Sequence, residues 1–321
     1  MNQRLKADLS LAFCSLLWGA TFVVVKGALT HASPFSFMAA RFALATLVMA
    51  AIHWKAFPSL KTAEVWAGVK IGVFMFGGYA FQTLGLVLTT PSKSGFITGS
   101  SVVLVPVLMA LFGRRKVNPW IWVGAIGAAA GLYFITVPKA GNDALHSGLN
   151  AASNVGPGSG LNRGDLLTLV AAVLFAVHII LVGRYTKNHS VGALSFVQVA
   201  MTALLNLAML PILAATGWER FHLDSSRELL LAILITAVFA TAVAFSVQVW
   251  AQKYTSPSHT AILFSLEPVF AALTSFIVLH ERLGARSFLG ACLVMLGIVV
   301  AELKGPSQAA ADSPGPVTES A

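Results

Sequence analysis

Runs of about twenty apolar residues recur along the chain, each closed by a short polar break. At 1.5 Å per residue, a helix of that length crosses about 30 Å of hydrocarbon. Ten such runs can be marked: 8–28, 34–54, 64–88, 94–113, 118–138, 164–184, 192–214, 228–251, 257–280 and 285–303. Pro, Gly, Asn, Ser and charged residues stand between them, and the runs lack the period-2 alternation of barrel strands. Helices are then the spanning structure whose backbone groups are all paired internally. The expected fold class is all-α integral membrane, with ten transmembrane helices. The first run follows Arg4 and Lys6 as a secretory signal would, but it is too long and a second run follows at once, so it reads as an uncleaved helix.

Composition strengthens this picture: 57% of the 321 residues are hydrophobic and 10% charged, far from soluble usage. Cys14 and Cys292 both fall inside apolar runs and read as small buried residues, not as a disulfide framework. The formal net charge of +9 would suggest nucleic acid in a soluble protein, yet here the bases sort by side of the membrane. With ten crossings, eleven Lys and Arg residues fall on the side of the N-terminus, among them Arg4, Lys6, Lys55, Arg114, Arg115, Lys116 and Lys253, and eight on the other. The bias places both termini in the cytoplasm of an inner (plasma) membrane protein. It makes the lipid bilayer the partner of the basic charge, with no nucleic-acid partner.

Segment 139–163 is rich in Gly, Ser and Asn and reads as a flexible linker; the tail 304–321, rich in Ser, Pro and Ala, reads as disordered. They leave two five-span halves, 1–138 and 164–303. Sliding one half over the other by 166 positions pairs Gln82 with Gln248, Thr89 with Thr255, Pro91 with Pro257, Gly124 with Gly290 and Gly131 with Gly297. Near the start of each half, the stretch from Asp8 aligns with the stretch from Asp165 at a slightly smaller offset. Five is odd, so the second copy enters the membrane from the opposite side. Inverted repeats of this kind are the sequence sign of alternating-access transport.

Four stretches carry a family likeness: LLWGATFVVVKGAL (16–29), RFALATLV (41–48), SLEPVFAAL (265–273) and HERLG (280–284). On these the chain resembles the drug/metabolite transporter superfamily, as two tandem EamA-type domains. The resemblance implies ten helices around a central cavity and secondary active transport of small metabolites, often export. The first half departs from the pattern, because Val103, Leu104, Val105 and Pro106 stand where the second half has the Glu267-Pro268 pair, one helical turn out of register. A site that uses Glu267 is therefore asymmetric.

Polar residues inside the apolar runs are the candidate chemistry. Glu267 lies about ten residues into its run, close to the bilayer midplane, where an ionised acid costs about 2.5–3.5 kcal/mol. It either ties two helices together or lines the cavity as a proton or substrate site. Pro268 removes a backbone donor beside it, and Pro106 does the same in the first half, so both are expected to bend their helices. His178 can change charge near neutral pH, which suits proton coupling, or it can bond a neighbouring helix. Gln82 and Gln248, equivalent in the repeat, can bond a substrate, each other or adjacent helices. Arg41 can attract a carboxylate or serve a helix terminus, whereas Lys26, near the end of its run, reads as snorkelling. Trp18 and Tyr79 offer flat apolar faces with polar tips, for packing or for bounding a pocket. The small-residue runs 124–131 and 290–297 let backbones approach, so the fifth and tenth spans are expected at the periphery or in a dimer contact, for a monomer or homodimer.

Reaction chemistry is missing where an enzyme needs it. HExxH, paired CxxC, GxxxxGK[ST] and GxSxG are all absent, so neither a metal nor a cofactor is expected and the chain is not read as an enzyme. The expected activity is proton-coupled export of small organic metabolites, such as amino acids or drugs, through a cavity lined by Trp18, Arg41, Tyr79, Gln82, His178, Gln248 and Glu267. The alternative is a channel or a gradient-independent facilitator; a channel would show a selectivity ring from a symmetric oligomer.

Overall fold

The computed structural model describes residues 2–89, 91–113, 118–136, 163–279 and 285–304. The expected linker, apart from Arg163, and the tail beyond Lys304 lie outside the described residues, as does the HERLG stretch. In chain order the elements are α1 (Gln3–Ala28), α2 (Pro34–His53), a 3-10 turn (Trp54–Ser59), α3 (Thr62–Leu88), α4 (Pro91–Gly99), α5 (Ser101–Gly113), α6 (Pro119–Thr136), α7 (Arg163–Tyr185) and α8 (Val191–Thr216). There follow α9 (Arg227–Ala237), a π-helical turn (Val238–Val243), α10 (Ala244–Ala251), α11 (Pro257–Phe264), α12 (Glu267–Leu279) and α13 (Ala285–Lys304). Among the described residues the only extended pairing is an isolated bridge between Ala32 and Leu223.

Six rods are long and apolar enough to cross a membrane: α1, α2, α3, α7, α8 and the continuous stretch Arg227–Ala251. Shorter apolar helices cover Ile97–Phe112, Pro119–Gly131 and Phe288–Gly297. Two of the expected spans are interrupted, one at Ser100 between α4 and α5, the other at Ser265 and Leu266 between α11 and α12. Shifted by 166 positions, Ser100 falls on Leu266, so the interruptions occupy the same place in each repeat. Helix starts follow from short polar side chains: Ser190, Ser226 and Ser256 each accept from the N–H three residues on, at 3.4, 3.2 and 3.2 Å. Glu64 bonds the Lys61 N–H at 3.0 Å and the Ser190 N–H at 2.8 Å, which pins the start of α3 to the start of α8. α8 ends on Gly217 at φ 71°, a left-handed cap that glycine adopts without strain.

Packing is tightest where side chains vanish. α6 lies on α13 along the glycine seam: a Cβ added to Gly131 would stand 2.5 Å from the Gly290 carbonyl oxygen and 2.7 Å from the Val294 nitrogen. A Cβ on Gly297 would stand 2.6 Å from the Gly124 oxygen. The seam packs α6 on α13 within the chain, and no described residue of either helix is among those that line the cavity below. Gly131→Leu is expected to destabilise the fold by about 1–3 kcal/mol through overpacking, whereas Ala130→Leu, on an exposed position, should leave it unchanged. Thermal unfolding of the detergent-solubilised variants checks this. The apolar core forms two main clusters, and Trp18 packs against both.

Candidate functional site

Residues beside both interruptions line one cavity, which is partly open to the surroundings. Backbone broken at membrane depth is tolerated where it lines such a cavity. Gly99 and Ser101 line it from one break, Phe264 and Glu267 from the other. All seven residues singled out in the sequence, Trp18, Arg41, Tyr79, Gln82, His178, Gln248 and Glu267, lie on its wall.

Glu267 opens α12 directly after the break. The approach of α1 makes room for it: a Cβ on Gly19 would stand 2.5 Å from the Glu267 backbone oxygen. Among the described residues no side chain stands within ion-pair distance of its carboxylate. Pro268 is the second residue of α12, where a missing N–H costs nothing. Pro106 stands inside α5, six residues past the break at Ser100. A break stands at Ser100, which turns its hydroxyl onto the Ile97 carbonyl at 2.5 Å and its N–H onto the same oxygen at 3.1 Å. Side-chain bonding to nearby backbone offers an alternative to the helical ladder.

Arg41 is buried, with 4% exposure. Its Nε donates to Thr241 Oγ1 at 2.9 Å, and its guanidinium lies 4.8 Å over the Tyr79 ring and 5.2 Å over Phe42. No carboxylate among the described residues is within ion-pair distance of it. Tyr79 in turn packs edge-on against Phe42 and Phe175, at 5.1 and 5.2 Å. The Trp18 ring sits 5.3 Å from Phe245 and 4.9 Å from Phe264. The result is an aromatic box with one cation and one acid on its wall.

The π-helical turn sets two of these side chains. Ala244 donates its N–H to Phe239, five residues back. The Ala240 carbonyl, without that donor, accepts the Trp18 indole N–H at 2.8 Å. Thr241 accepts from Arg41 and donates to the Thr236 carbonyl, also five back, at 2.8 Å. Cys14 reaches the Ala244 carbonyl at 3.4 Å, and it is free, as is Cys292. Single π turns of this kind are frequent at functional sites. The equivalent stretch of the first repeat, in α3, is uninterrupted α-helix.

His178 bonds Gln198 Oε1 through Nε2 at 2.9 Å and meets the Phe245 ring edge-on at 5.8 Å. The repeat-related glutamines bond within their own halves: Gln82 to Thr98 at 3.0 Å, Gln248 to Gln252 at 3.1 Å. Gln248 lines the cavity, and its Oε1 is buried without a hydrogen-bond partner among the described residues. Lys26 reaches the end of a neighbouring helix. Its Nζ sits on the carbonyls of Leu86 and Thr89, at 2.6 and 3.2 Å, and so closes the end of α3, where a cation also meets the helix dipole.

Two supporting residues escaped the sequence reading. Gln198 was detectable as an amide within the apolar run 192–214, whereas Thr241 carried no signal, since threonine is common in apolar helices.

Comparison with known proteins agrees with this architecture. The model of the EamA-like transporter family matches residues 5–137 and again residues 162–303. A protein of Archaeoglobus fulgidus described as an uncharacterized transporter is 37% identical over 307 residues, covering 94% of this chain and 87% of its own. The WAT1-related protein At3g02690, chloroplastic, of Arabidopsis thaliana is 23% identical over 286 residues, 88% of this chain and 66% of its own. A solved crystal structure shares the fold with a TM-score of 0.71 at 18% identity, over 96% of this chain and 99% of the other.

Proposed function

Because the chain belongs to the EamA-like transporter family, we propose that it is a secondary active carrier that exports a small organic solute by alternating access and draws its energy from a proton gradient. In this reading ten helices cross the inner membrane as two inverted five-helix repeats, 1–138 and 164–303, joined by the linker 139–163, with both termini cytoplasmic. Solute binds in the aromatic box and its polar ends meet Arg41 and Glu267. A zwitterionic amino acid with an apolar side chain suits that arrangement. Glu267 exchanges the driving proton, and His178, held by Gln198, is the second group able to take one.

The observation that carries the proposal is the placing of Arg41 and Glu267 on one cavity wall, neither with an oppositely charged partner among the described residues. Isolated charges at this depth are expensive and are retained where they act on a ligand or an ion. The two breaks in the helices, equivalent in the repeat and both facing the cavity, support the carrier over a fixed pore. Inverted vesicles from expressing cells, given labelled amino acids, nucleosides or cationic drugs with and without an imposed proton gradient, test it. Saturable accumulation that needs the gradient is the expected result. Flux that equilibrates without the gradient would make the protein a facilitator or channel.

A further inference from the structure

Each repeat carries one acid within the first two turns of its first helix, and each acid contacts the other repeat. Asp8 of α1 places Oδ1 3.2 Å from Nε2 of His259 in α11, and Oδ2 3.9 Å from Nε of Arg4. The His259 side chain is 5% exposed and that of Asp8 12%. Asp165 of α7 accepts the Thr89 hydroxyl at 2.7 Å, just ahead of α4, with Asp165 1% and Thr89 7% exposed. The residues correspond in the repeat alignment, Asp8 with Asp165 and the start of α11 with the start of α4.

These contacts sit at opposite ends of the bundle. Lys26, at the far end of α1, reaches the Thr89 carbonyl, so the Asp165 contact lies beside it, about 27 Å along α1 from Asp8 at 1.5 Å per residue. The cavity lies between them, lined by Trp18, Thr21 and Val25 of the same helix. Both contacts bridge the two halves, and these halves must move against each other in an inverted-repeat carrier.

We propose that Asp8 with His259, and Asp165 with Thr89, are repeat-related latches that hold the two ends of the bundle closed, each released when its own end opens. This rests on the alternating-access reading above. The chemistry is unequal: one latch is an acid against an imidazole with an arginine behind it, the other an acid against a hydroxyl.

Access of the cavity to a membrane-impermeant maleimide tests the latches. A Thr21→Cys reporter, with Cys14 and Cys292 changed to alanine, is labelled from one face of sealed vesicles at a time. Asp8→Asn is expected to raise labelling from the face that carries Asp8 by at least about tenfold, through loss of the carboxylate's attraction for His259 and Arg4. Asp165→Asn should do the same from the other face. His259→Gln and Thr89→Val remove the partner and leave the acid, and should shift access in the same direction as their acids; they decide the matter if an acid variant fails to fold. Equal labelling from both faces in folded variants, or both acids opening the same face, overturns the proposal. Labelling requires no substrate, so the latches can fail while gradient-driven flux holds, and flux can fail while the latches hold.

Discussion

Glu267→Gln is expected to abolish gradient-driven accumulation while leaving the protein folded. Glutamine matches the carboxyl in size and bonding but carries no exchangeable charge. One-for-one exchange against a proton can support up to about tenfold accumulation for each pH unit of gradient, since a pH unit corresponds to about 1.4 kcal/mol. With the coupling group removed, the accumulation ratio in inverted vesicles should fall to about one at any imposed pH difference. Exchange of labelled for unlabelled solute, which needs no proton, should persist with a raised KM, since glutamine still bonds the solute's polar end but without the charge, and that separates lost coupling from lost transport. The local structure supports tolerance of the change: Glu267 begins α12 without an ion-pair partner among the described residues, so no buried cation is left alone. Accumulation at the wild-type ratio in the variant would assign Glu267 to helix packing and move the coupling to His178.

Much of this site was legible in the sequence because a polar side chain in an apolar run is expensive and therefore conspicuous. Glu267, Arg41, His178, Gln82 and Gln248 stand out on that ground alone, and the fold brings all of them to one cavity. The repeat made the pairing of Pro91 with Pro257 visible, and these residues do begin α4 and α11.

What the sequence concealed is backbone behaviour. The span that holds Pro106 breaks six residues before the proline, at Ser100, where a serine hydroxyl competes for the backbone. Nothing in the stretch Val238–Val243 announces a π turn, because valine, phenylalanine, alanine and threonine are all common in apolar α-helices. The turn exists through tertiary contacts, with Trp18 and Arg41 occupying the groups it presents. The contact of Lys26 with the end of α3 was hidden for a related reason: which carbonyls a lysine near a helix end can reach depends on which helix end lies beside it.

Arg41 should decide which solutes are carried. Its guanidinium is oriented by Thr241 at 2.9 Å and by the Tyr79 and Phe42 rings. Lysine keeps the charge but not the fork or the stacking, so Arg41→Lys is a test of geometry and not of charge alone. A hydrogen bond to a charged group contributes about 1.5–3 kcal/mol. Arg41→Lys is thus expected to lower kcat/KM for a carboxylate-bearing solute by about ten- to a hundredfold, and to leave the methyl ester of the same solute within about twofold. Arg41→Gln should remove the preference between acid and ester altogether. The ratio of the two kcat/KM values is the decisive quantity, because a variant that merely packs badly lowers both together. A ratio unchanged in Arg41→Lys and Arg41→Gln would confine Arg41 to bracing α2 against the π turn, and the carboxylate would then have to be met by the hydroxyls and amides around Gln82, Thr98 and Gln248.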